Sequence, residues 1–163
     1  MPDMLVKLYD LPPLEPCLEQ MREQGITIRH AMPYERGVVM EWVRKHFGDG
    51  WAAECEAAFS YQPVTCLIAV ADGTIRGFAC YEATARNFFG PTGVDEACRG
   101  QGIGRALLLA ALYGQKAMGY GYSIIGGAGP VDYYVKACGA TVIEGSSPGI
   151  YPETIRSEAT APE

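Results

Sequence analysis

Apolar residues follow two different periods along this chain, and each switch of period marks a boundary between elements. A short extended piece over residues 4–9 leads into a proline-marked turn, and residues 14–24 read as a helix closed by Gly25. Residues 26–31 alternate as a strand does until Met32-Pro33 stops them. The helix predicted over 34–47 carries Val38, Val39, Trp42, Val43 and Phe47 on one apolar stripe. Gly48-Asp49-Gly50 breaks it, and a second helix follows over 51–59. The runs 64–71 and 74–82 are strands joined through Asp72-Gly73, the strongest hairpin signal in the chain. A further strand covers 88–94. The helix over 102–118 is apolar on most faces, which predicts burial, and Gly119 ends it. A central strand at 122–125, a flexible junction at 126–130, a short helix at 131–138 and a last strand at 140–144 complete the pattern. Ser146-Ser147-Pro148-Gly149 turns the chain before Ile150-Tyr151, and the small, polar tail over 157–163 is expected to be disordered.

Between strand 88–94 and the long helix lies the segment richest in chemistry. It turns through Gly100, Gly102 and Gly104 with Arg99 and Arg105 on its flanks. Without Cβ atoms the backbone approaches a ligand closely, N–H groups at a helix start point at phosphate oxygens, and the helix dipole favours their charge. A turn that needs glycine for its φ angles alone accounts for one of these glycines more easily than for three alternate ones. A triphosphate loop is excluded because no Lys-Ser or Lys-Thr follows. A dinucleotide fingerprint is excluded as well. Its third glycine falls on Arg105 or Leu107, and no acid ends the strand at 122–125.

What remains is an Arg, two residues, a Gly, one residue and a Gly, met by Arg99, Gly102 and Gly104. At these residues the chain resembles the GNAT superfamily of acyl-CoA-dependent N-acetyltransferases. The resemblance runs over residues 26–151 and includes Tyr133-Tyr134-Val135-Lys136-Ala137-Cys138-Gly139-Ala140. That stretch is similar to the family's aromatic-Tyr-x-Lys segment before a Gly, with one residue inserted ahead of Gly139. It comes about 30 residues after the loop, as a helix, a strand and a short helix require. The resemblance implies a single α/β domain over 26–156, with a mixed central sheet and helices on both faces. Residues 1–25 stand before it as an extension of one strand and one helix.

The family's loop holds the pyrophosphate of acetyl-CoA, the acyl donor. Carried over by position, Arg99, Gly100, Gln101, Gly102, Ile103, Gly104 and Arg105 form the cradle. Backbone groups around Thr92 to Val94 hold the thioester carbonyl, and the strand pairs with the pantetheine arm. Val94 matches the position whose N–H faces the oxyanion. The implied activity moves acetyl from acetyl-CoA to an amine of a small molecule or peptide by direct attack in a ternary complex. An acetyl-CoA-binding regulatory module without turnover is the alternative. No metal is implied, and a homodimer is compatible. The chain departs from the family at Gly126-Gly127-Ala128-Gly129-Pro130, where an Asn that contacts the cofactor is common.

Tyr134 is the expected general acid for the departing thiolate, with Tyr133 as its control, because neighbouring helix positions diverge by about 100°. Both tyrosines also fit as amphipathic core residues. A primary amine is an ammonium at neutral pH and must lose a proton before attack. Glu82, closing an apolar strand, is the expected base, with a solvated strand-end glutamate, relay through water, or His46 as alternatives. Trp51, Tyr61 and Tyr151 offer an aromatic wall to a cation, or simply pack.

Composition narrows the setting. The 163 residues are 48% hydrophobic and 20% charged, enough for one domain with a sizeable core. A net charge of −6 and the lack of any dense Lys/Arg tract argue against a nucleic-acid partner. Six cysteines show no C-x-x-C pairing, so several read as small buried hydrophobes in a reducing, cytoplasmic setting. No apolar run reaches the length of a membrane span, and the N-terminus lacks the basic and apolar regions of a signal peptide.

Overall fold

Two apolar layers are built into the strands themselves. On β3 (Cys66–Ala71) and β4 (Thr74–Tyr81), Leu67, Ala69, Ala79 and Tyr81 belong to the core on one face. The alternate residues Cys66, Ile68, Phe78 and Cys80 belong to the core on the other. A sheet apolar on both faces needs helices on both. In this computed structural model, which describes residues 1–158, α1 (Glu15–Glu23) and α4 (Ile103–Ala117) cover the first face. The second is covered by α2 (Arg36–Phe47) and α3 (Asp49–Ala57). Residues 159–163 of the expected tail lie outside the described residues, while Ser157 and Glu158 are exposed.

The seven strands run in the order β2-β3-β4-β5-β6-β1-β7. Here β1 is Met4–Lys7, β2 Thr27–His30, β5 Phe88–Val94, β6 Tyr122–Ile125 and β7 Thr141–Val142. Every neighbouring pair is antiparallel except β5 and β6, which are parallel and pair only at Phe88↔Ile124 and Phe89↔Ile125. Past those two rungs the strands part. The helix α5 (Val131–Cys138) comes after β6 and puts Tyr134, Ala137 and Cys138 into the first core.

Several elements differ from the reading of the sequence for physical reasons. The N-terminal segment supplies an interior strand: β1 pairs with β6 on one side and β7 on the other, and Met4 and Val6 are fully buried. The stripe of α2 is rotated, with Val39, Met40 and Val43 inward and Val38 64% exposed. The helix expected at 51–59 begins at Asp49, because the break is Gly48 alone, in a left-handed conformation at φ +95°. The last strand shrinks to two exposed residues.

Candidate active site

The site grows from the point where β5 leaves β6. Pairing with β4 shifts register between Ala79 and Tyr81, so that Gly90 and Pro91 of β5 stand opposite Cys80 alone. Such a bulge bends the strand and re-aims the residues beyond it. Past the bend, Asp95 N–H donates to Arg76 O at 2.8 Å. By strand alternation the N–H of Val94 then faces away from β4, into the gap that β6 has vacated. The hydroxyl of Thr92 is held by Phe78 O at 3.0 Å.

A cavity of about 540 Å³ occupies this gap. Its floor is Thr92, Gly93 and Val94 on β5, its inner end is Arg99, Gly100, Gly102, Ile103, Gly104 and Arg105, and its far wall is Tyr133 and Tyr134 of α5. Gly102 caps α4 at φ +88°, and no side chain caps the helix. The first bond within α4 from this end runs from Ala106 N–H to Gly102 O, which leaves the earlier N–H groups for a ligand. Gly104 shows that the cradle is shaped by missing atoms. A Cβ there would stand 3.5 Å from Val94 Cγ2 and 3.6 Å from Tyr133 Oη, inside the cavity. Open N–H groups, flanking guanidiniums and a turn whose glycines carry no side chains fit a pyrophosphate.

Both tyrosines line this cavity, whereas the sequence suggested that only one would face it. Their rings meet edge to face, with centroids 5.2 Å apart, across a cavity wide enough to take both. Tyr133 reaches toward Gly104 at the end formed by the start of α4. Tyr134 sits at the other end against Phe89, its hydroxyl pushed up to about 12 by burial.

Tyr134, Phe89, Thr92 and Pro130 also line a second cavity of about 370 Å³, so the two openings meet at these residues. The second opens outward past Trp51, Glu54, Thr84 and Tyr151. Glu54 accepts a hydrogen bond from the Thr84 hydroxyl. Burial pushes the Tyr151 hydroxyl up, with Asp3 and Glu54 adding to the shift. The glycine-rich junction forms part of this wall. It is held by Asp3, whose carboxylate accepts from Gly127 N–H at 2.8 Å while its own N–H donates to Ser146 Oγ at 2.8 Å.

Other residues singled out in the sequence stand elsewhere. Glu82 lines none of these openings. Its two carboxylate oxygens accept from Asn87 N–H at 2.7 Å and Tyr120 Oη at 2.9 Å, and it is 4% exposed, at φ +64°. It ties the turn after β4 to the chain ahead of β6. His46 stacks on Trp42, with ring centroids 4.4 Å apart, beside a separate surface depression. Gln101 is exposed outside the cradle, where its carbonyl accepts from Gln24 Nε2 at 3.2 Å. Tyr61 lines neither opening. Glu54 and Thr84 went unnoticed in the sequence because neither belongs to a motif.

The sequence profile of the acetyltransferase (GNAT) family matches residues 31–139, from the end of β2 through α5. This chain belongs to the acetyltransferase (GNAT) family. That membership goes with the single GNAT-like α/β domain described above. Solved structures share the fold. A GCN5-related glucosamine N-acetyltransferase region in a fungal multi-domain GH3 beta-N-acetylglucosaminidase superposes with a TM-score of 0.72 at 14% identity, over 87% of this chain and 19% of that one. A GCN5-related N-acetyltransferase from Sphaerobacter thermophilus gives 0.62 at 24% identity, over 87% and 48%. A functionally unknown conserved protein from Staphylococcus epidermidis gives 0.52 at 17% identity, over 87% and 57%. This GNAT chain thus spans between 19% and 57% of the length of these relatives. Among curated proteins none matches it in sequence.

Proposed function

We propose that the chain transfers an acetyl group from acetyl-CoA to an amine of a small molecule or peptide, by direct attack in a ternary complex. The observation that carries this reading is the meeting of two cavities at Phe89, Thr92 and Tyr134, one ending in an anion cradle and the other walled by aromatics and a carboxylate. Acetyl-CoA, when bound, supplies an acetyl thioester. Backbone N–H groups at Gly102, Ile103 and Gly104, with Arg99 and Arg105, hold its pyrophosphate. Val94 N–H donates to the carbonyl oxygen as negative charge develops there. The Tyr134 hydroxyl keeps its proton at neutral pH and offers it to the departing thiolate.

On the acceptor side, Trp51 and Tyr151 give faces for a cation. Glu54 is the carboxylate among the described residues lining that opening, and it takes the part expected of Glu82. It draws in the ammonium and receives its proton. The reading places the chain in the cytoplasm, in keeping with six free cysteines. No helix among the described residues is long and apolar enough to cross a membrane. Thiol release from acetyl-CoA with a panel of amines tests the proposal. Amine-dependent release supports it; CoA binding without turnover across a broad panel refutes it in favour of a binding module.

A further inference from the structure

Behind the bulge that shapes the acceptor opening, three cysteines converge from three elements. Cys55 of α3 places its Sγ 3.8 Å from that of Cys66 on β3 and 3.5 Å from that of Cys80 on β4. All three sulfurs lie within 4.8 Å of one another, and all three residues are fully buried. Cys66 and Cys80 face each other directly across the β3–β4 ladder, and α3 lowers the third sulfur onto them.

We propose that Cys55, Cys66 and Cys80 form a buried three-sulfur site for a soft monovalent cation, copper(I). Metal–thiolate bonds of about 2.3 Å in a trigonal plane set sulfurs about 4.0 Å apart, within a few tenths of an ångström of the two separations from Cys55. The surroundings select the ion. Val39, Val43, Ala58, Val64 and Phe78 belong to the same core, and no His, Asp or Glu joins the sulfur group among the described residues. Hard cations need oxygen ligands, and tetrahedral zinc needs a fourth donor that this cluster lacks. Thiolates and neutral sulfurs suit copper(I).

Charge balance points the same way. An apolar core tolerates no net charge, so a monovalent ion binds with one thiolate and two neutral thiols. One thiol proton leaves to solvent, one copper–thiolate bond and two copper–thiol bonds form, and no electron is transferred. The site is closed to water, so the ion enters as the chain folds or when α3 lifts. Loading then fastens α3, and with it Trp51 and Glu54, onto the sheet beside the bulge opposite Cys80.

The test is an anaerobic titration of the reduced, metal-free full chain against copper(I) buffered by bicinchoninate, with copper supplied both to the folded and to the refolding protein. One copper per chain withdrawn, one proton released and a raised Tm are expected. Cys55→Ala and Cys80→Ala should lose uptake, and Cys17→Ala should keep it. The proposal is overturned if the unmutated chain withdraws no copper by either route, or if Cys55→Ala takes up as much. Should both triad variants fail to fold, copper X-ray absorption of the loaded unmutated chain decides. Three sulfur neighbours near about 2.3 Å support the site, and nitrogen or oxygen neighbours refute it.

Discussion

Replacing Gly104 by alanine separates the stability of the free protein from its capacity to hold a phosphate. Gly104 lies in the first turn of α4 with an ordinary helical backbone, so the methyl group costs no backbone strain. Its contacts, 3.5 Å to Val94 Cγ2 and 3.6 Å to Tyr133 Oη, are normal van der Waals distances. Alanine in a helix is favoured over glycine by about 0.5–1 kcal/mol. For a chain of this size that raises Tm by about 1–4 °C. The same methyl group stands where an oxygen must come within about 2.9 Å of a backbone N–H. Losing one hydrogen bond to a charged group costs about 1.5–3 kcal/mol, or roughly 10- to 150-fold in the dissociation constant for CoA. Thermal melting of the apoprotein and calorimetry with CoA measure the two effects. Unchanged CoA affinity in a variant of equal or higher Tm would refute the close approach of phosphate at Gly104, and a fall in apoprotein Tm would refute the packing around it.

The tyrosine pair makes a second test: Tyr134→Phe should lower kcat on the order of 10²-fold with CoA affinity nearly kept, since the ring still packs on Phe89. Tyr133→Phe should instead weaken CoA binding by about 2- to 10-fold at unchanged kcat, in line with one neutral hydrogen bond; a drop in kcat there would exchange the two roles. Because the neutral phenol is the donor and burial pushes the Tyr134 hydroxyl up to about 12, the basic side of the kcat profile should show no loss from this group up to about pH 10; a basic limb that disappears in Tyr134→Phe would contradict this. Glu54→Gln should raise KM for a cationic acceptor and leave CoA affinity unchanged, and equal KM values in steady-state assays would remove Glu54 from the acceptor site. Glu82→Gln should lower Tm, because an amide accepts poorly from both Asn87 N–H and Tyr120 Oη, while the acidic limb of kcat/KM keeps its position; a flattened limb would return the base to Glu82.

The turn that lines the inner end of the cavity was legible because it is built from backbone, with Gly102 at a positive φ capping α4 and Gly104 facing the cavity. The hairpin through Asp72-Gly73 was equally open, and β3 and β4 pair from Cys66↔Cys80 to Ala71↔Thr74. The wall of the outer opening was hidden. Trp51 and Glu54 on α3, Thr84 after β4 and Tyr151 near the C-terminus meet only through the fold, and no spacing connects them. The surroundings of Glu82 were hidden too, because a carboxylate at a strand end looks free until Asn87 and Tyr120 are seen to occupy both its oxygens. The bulge at Gly90 and Pro91 and the insertion of β1 between β6 and β7 are long-range pairings, which local pattern does not encode.

Two rungs are all that join β2-β3-β4-β5 to β6-β1-β7 within the sheet. Whatever extended chain lies in the gap beyond them acts as a surrogate strand. In the proposed function that chain is the pantetheine arm, whose amides find the backbone groups that β6 leaves without a neighbour. Ligand and architecture are then one thermodynamic system. At a cofactor concentration a hundredfold above its dissociation constant, mass action adds about 2.7 kcal/mol to the folded state. For a domain of this size that is about 5–11 °C in Tm. Amide exchange at Thr92 and Val94 would slow with it, since their openings no longer lead to water. The core beneath the sheet already runs unbroken from β3 to β1, and the ligand would make the hydrogen-bonded layer above it equally continuous.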